Sequence, residues 1–123
     1  MGEKGFVFDR GTYKISTAEA TNGTEIAASW GNEWFHVTEI YVDAFTTAQT
    51  SGDITVGLYD SSGSLEHTMF KLNVHQHATS DPVTEHQDLR PNFTLPASYS
   101  IRVTSPNENI TAHCGVMGVT FEV

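Results

Sequence analysis

At 123 residues and 38% hydrophobic content, the chain is long enough to bury a core of its own and too evenly apolar to be disordered. Its 15 acidic and 6 basic residues leave a formal charge of −9. With no basic cluster to offset it, that charge disfavours nucleic acid and anionic membrane surfaces as partners. One cysteine, Cys114, excludes an intramolecular disulfide. No apolar run reaches the length of a membrane span, and the opening MGEKGFVFDRG lacks the long apolar core that a signal peptide needs.

Residues 1–33 are the least regular third and read as an N-terminal arm with short strands. Phe6-Val7-Phe8 and Tyr13-Lys14-Ile15 flank an Asp9-Arg10-Gly11 turn, and Asn22-Gly23 favours a second tight turn. Residues 34–123 read as one β-sandwich domain. Ile40, Val42 and Ala44 alternate with Tyr41 and Asp43, the period of two expected of a strand with one buried face. Ile54, Val56 and Leu58 repeat the pattern, and Asp60-Ser61-Ser62-Gly63 supplies turn residues that can bond their own backbone or take positive φ. The simplest folding is a meander about Ile54 to Tyr59, with that strand near the middle of a sheet.

Leu65 to Val74 continues the alternation through Phe70, Leu72 and Val74. His75 to Arg90 is polar, contains Pro82, and fits a loop with an edge strand near Val83 to Gln87. Tyr99, Ile101 and Val103 then form one strand face. After the turn cluster Pro106 to Asn109, two final strands run from Ile110 to Cys114 and from Val116 to Val123. Met117, Val119, Phe121 and Val123 line one side of the last strand; Gly118, Thr120 and Glu122 line the other. About eight short strands at this spacing predict an all-β, antiparallel sandwich, jelly-roll-like.

Three groups of residues are candidates for chemistry or contact. His75 and His77 lie two apart, a spacing that places both rings on one strand face and allows metal ligation, with His86 or His67 as a third ligand. The competing reading is solvated histidines in a loop, and no metal is assigned. Trp30 and Trp34 either plug the end of the sandwich or join Tyr41, Tyr59 and Phe45 in an aromatic contact surface. The aspartates Asp43, Asp53, Asp60, Asp81 and Asp88 sit beside predicted turns, where backbone bonding explains them, and no pair stands out as an acid and base. Cys114 alternates with polar residues as a buried thiol does. Neither a nucleophile elbow nor a phosphate-binding loop is present, so no catalytic residue and no cofactor are predicted.

The segments W-x-x-V-T-x-I-x-V-D-A (Trp34 to Ala44), G-D-I-T-V-G-L-Y-D-S-S-G-S (Gly52 to Ser64) and N-F-T-L-P-A-S-Y-S-I-R-V (Asn92 to Val103) give the chain a family likeness. It resembles the small all-β virion proteins of tailed bacteriophages, especially capsid decoration (cementing) proteins and jelly-roll or TNF-like trimeric modules. That resemblance implies a non-enzymatic homotrimer on the capsid surface, with copies of itself and the major capsid protein as partners. The alternative is a carbohydrate-binding module or lectin-like receptor-binding domain using Trp30, Trp34 or Tyr41. A small metal-dependent enzyme built on His75 and His77 is the third.

Overall fold

A computed structural model describes residues 11–47, 50–76 and 84–122, and among these there is no helix. Nine antiparallel strands form two stacked sheets, as the alternation predicted. In order they are β1 (Thr12–Thr21), β2 (Gly23–Ala28), β3 (Glu33–Thr46), β4 (Thr50–Tyr59), β5 (Leu65–Gln76), β6 (Thr84–Leu89), β7 (Phe93–Leu95), β8 (Ser100–Ser105) and β9 (Ile110–Glu122). The large sheet runs β1-β9-β3-β6, with β7 also on β3; the small sheet runs β2-β8-β4-β5.

The pairings are nested. β4 meets β5, β3 meets β6 and β7, β2 meets β8, and β1 meets β9. The chain is therefore one long hairpin, rolled so that its two arms cross between sheets. That is the jelly-roll solution, which leaves few strand edges open. The tip of the hairpin is the turn at Asp60. Its carboxylate accepts the backbone N–H of Ser62 at 2.9 Å and of Ser64 at 3.0 Å, and Gly63 takes φ 86°. The bond from the Ser64 amide comes first among those that hold the Asp60 carboxyl below the usual aspartate range.

The predicted meander does not form. β4 is interior to its sheet, but its neighbours are β5 and β8, while β3 lies in the opposite sheet. Residues 12–28 are not an arm either. β1 is an edge of the large sheet and β2 an edge of the small one, joined at Asn22, whose φ of 51° turns the corner between sheets. The domain boundary predicted at residue 34 thus falls inside the sandwich. Phe6, Val7 and Phe8 lie outside the described residues.

The core is what the two inner faces share: Phe35, Val37, Ile40, Val42, Ile54, Val56, Val74, Leu95, Ile101, Val103, Ile110 and Val116, all buried. Phe35 and Val37 are odd-numbered whereas Ile40 and Val42 are even. A β-bulge between Val37 and Glu39 makes both possible, because one extra residue, Thr38, switches which side of the strand faces inward. β9 is a single strand, not two, and its even-numbered residues point to the core. Cys114 is among them, and burial pushes its thiol pKa up to about 12, which leaves the sulfur inert as a nucleophile at neutral pH.

Candidate functional site

The inward choice of the even residues on β9 turns Met117, Val119 and Phe121 outward. Direct antiparallel partners share one side of a sheet, so the register assembles the rest of that outer face. Val119 lies between Tyr13 on β1 and His36 on β3, Met117 between Ile15 and Glu39, and Phe121 beside Trp34. Tyr13 and Ile15 are each 59% exposed. One end of the outer face of the large sheet is therefore a stripe of aromatic and aliphatic side chains across three strands.

The other end of the same face is ionisable. Across the strands run Glu19 (β1), His113 (β9), Asp43 (β3) and His86 (β6), each the register partner of the next. Asp88 joins from the next position on β6, opposite Tyr41. His86 donates from Nδ1 to the Asp43 carboxylate, and its Nε2 lies 3.1 Å from Asp88 Oδ1. A neutral imidazole has one N–H, so only the imidazolium can donate to both carboxylates. The bond to Asp43, and then that to Asp88, hold the His86 pKa above the usual histidine value. Tyr41 sits between the two ends. Its ring stacks on His86 with centroids 6.2 Å apart, tilts against His113 at 5.9 Å, and lies over Gly115, where a Cβ would approach Tyr41 Cε2 to 2.1 Å.

His36 ties down the β7 side of this face. Its ring nitrogens lie 3.2 Å from Thr94 Oγ1 and 2.8 Å from Asn92 Oδ1. Asn92 reaches that position through a left-handed backbone, φ 50°. Among the described residues, no group of three or more His, Cys, Asp or Glu side chains is arranged to hold a metal ion.

The candidates named from sequence do not form one surface. Trp34, Tyr41 and Phe45 share the outer face of the large sheet, with Phe45 45% exposed. Trp30 belongs to the end of the sandwich, its ring 4.1 Å from that of Phe35 and packed against the core. Tyr59 is on the small sheet, beneath the Arg102 guanidinium at 4.7 Å. His75 is exposed on β5, the far edge of that sheet, and His77 lies outside the described residues. Asp43 and Asp88 are strand residues rather than turn residues. Sequence reasoning passed over Tyr13, Ile15 and His113. Their signal was the same period of two, but nothing local said that residues 12–21 lie beside the last strand.

No family model matches the chain, and no curated protein matches its sequence. Among solved structures it is similar to the disulfide-linked pili of Bacillus endospore appendages, with 11% identity, TM-score 0.41, and coverage of 92% of this chain and 87% of that one. A pentameric capsid protein isolated from metagenomic phage sequences shares 12% identity at TM-score 0.42, covering 89% of this chain and 61% of that one. An arabinose-bound α-L-arabinofuranosidase shares 15% identity at TM-score 0.44, where the match spans 94% of this chain but 24% of the enzyme. Likeness at this distance does not define a family.

Proposed function

We propose that the protein is a non-enzymatic virion structural protein, a homotrimeric decoration subunit that binds the major capsid protein and stabilises a viral shell from its outer surface. The observation that carries this reading is the outer face of the large sheet. Tyr13, Ile15, Met117, Val119, Phe121 and Trp34 place aromatic and aliphatic groups side by side on a stiff scaffold. Exposed apolar groups gathered in one patch mark contact surfaces. The resemblance of the sequence phrases to those of cementing proteins points the same way. Light scattering on the purified protein should give three times the chain mass, and co-sedimentation with cognate shells should saturate. A strict monomer that leaves every shell in the supernatant would remove the reading.

A second reading has one specific observation in its favour. Trp34 and Phe121 are cross-strand partners on the outer face of the large sheet, beside His36 and Asn92. Half-exposed rings next to polar groups suit the apolar face and hydroxyls of a sugar. A glycan array that stays silent, with Trp fluorescence unmoved by oligosaccharides, excludes it.

A further inference from the structure

We propose that the outer face of the large sheet docks a basic polypeptide surface, one that presents lysine or arginine beside aliphatic side chains. This deepens the decoration reading by naming the contact face and the chemistry of the shell surface it meets. The strands of this face carry Glu19, Glu39, Asp43 and Asp88 and contribute no lysine or arginine to it. Among the described cations, Lys14 on β1 is the register partner of inward-facing Gly118, Lys71 and Arg102 belong to the small sheet, and Arg90 is exposed just past the end of edge strand β6. His86 as an imidazolium offsets one of the two charges of Asp43 and Asp88, so with Glu19 and Glu39 the face stays net negative. A partner that covers the apolar end closely approaches these carboxylates, and a cationic surface offsets their loss of water.

The same charges argue against a second copy docked through this face about a two-fold axis. A two-fold contact presents one patch to itself, so this face would bring carboxylates to strands that carry no outward lysine or arginine. Addition of a partner strand along β1 is also disfavoured. Lys14 and Ser16 alternate inward on that edge, and an inward-pointing charge on an edge strand discourages pairing with another chain. Contact through the face, rather than through the edge, is what remains.

Isotope-labelled full-length protein, titrated with an alternating Lys-Leu peptide and separately with an alternating Glu-Leu peptide, tests the proposal. Amide shifts on adding the Lys-Leu probe should cluster at Tyr13, Ile15, Trp34, Asp43, His113 and Phe121, and the Glu-Leu probe should leave these unmoved. The double variant Tyr13→Ser/Ile15→Ser should bind the Lys-Leu probe about tenfold more weakly, and Glu39→Gln/Asp43→Asn should weaken it by a similar factor. Tyr13 and Ile15 are exposed, so an unchanged spectrum elsewhere verifies that the variants fold. Shifts centred on Lys71 and Arg102, equal binding of both peptides, or variants that bind as well as the parent would overturn the proposal. Co-sedimentation separates it from the decoration reading. Shells that bind both double variants as well as the parent sink the face and keep the reading. Probe binding here without any shell binding keeps the face and sinks the reading.

Discussion

The two sheets turn similar faces inward and different faces outward. On the small sheet, polar groups answer one another. Thr24 and Thr104 share a hydroxyl hydrogen bond at 2.8 Å, Asn73 donates to Asp53 at 2.9 Å, and Arg102 lies over Tyr59. Such pairs are complete in water and ask for no partner. On the large sheet, aromatic and aliphatic side chains lie at one end and carboxylates with histidines at the other. A nearly common core therefore supports one face where polar pairs accompany the exposed Ile26 and Leu65, and one where apolar side chains run side by side across three strands. The hydrophobic effect settles which sides meet, and leaves the outward sides free to differ.

The comparison breaks most easily by substitution on the two sides of the sheets. Ile101→Ala removes a fully buried side chain from the inner face of the small sheet and should cost about 2–5 kcal/mol in urea unfolding. Ile15→Ala, on the outer face of the large sheet, should stay within about 0.5 kcal/mol. A cost for Ile15→Ala that grows with protein concentration would instead show that assembly buries it. Glycines sharpen the contrast within a single strand. A Cβ on Gly118 would lie 2.0 Å from the His36 carbonyl oxygen, which is backbone, so Gly118→Ala should cost about 3 kcal/mol. A Cβ on Gly115 meets the Tyr41 ring, which can swing away, so Gly115→Ala should cost about 1 kcal/mol, partly recovered by Tyr41→Ala.

The smallest effect concerns His86. Its pKa is raised in the folded state, so its contribution is fully present below the ordinary value of 6.5 and is lost as pH rises through the folded pKa. NMR titration should give His86 a midpoint above 6.5, and Asp43→Asn should bring it down toward that value. A midpoint indifferent to Asp43→Asn would show that the carboxylate-histidine row is not coupled, and the ionisable end of the face would lose its distinction from the small sheet.

Much of the fold was legible because alternation is local. Ile40, Val42 and Ala44, then Ile54 and Val56, then Ile101 and Val103 are all buried as their spacing predicted. The outer face was harder to read. On β9 the more apolar row, Met117, Val119 and Phe121, faces outward, while Gly118 and Thr120 face in. The interior there has little room: a Cβ on Gly118 would also come within 2.9 Å of Phe35 Cε1. Close approach of the neighbouring strand β3 outweighed side-chain hydrophobicity. The pair Asp43 and His86 was illegible for a different reason, since its members are 43 positions apart and meet only through strand register.

Period-two patterning determined that this chain forms strands and where most of them run, and local turn residues determined that Asp60 to Gly63 turns. Each of those depends on neighbours a few residues away, through backbone geometry and side-chain alternation. The tertiary structure decided which strands pair, which sheet each joins, and which side of β9 is buried. Those outcomes depend on contacts between residues as distant as Thr12 and Thr120, whose free energy exists only once the long hairpin has rolled up on itself.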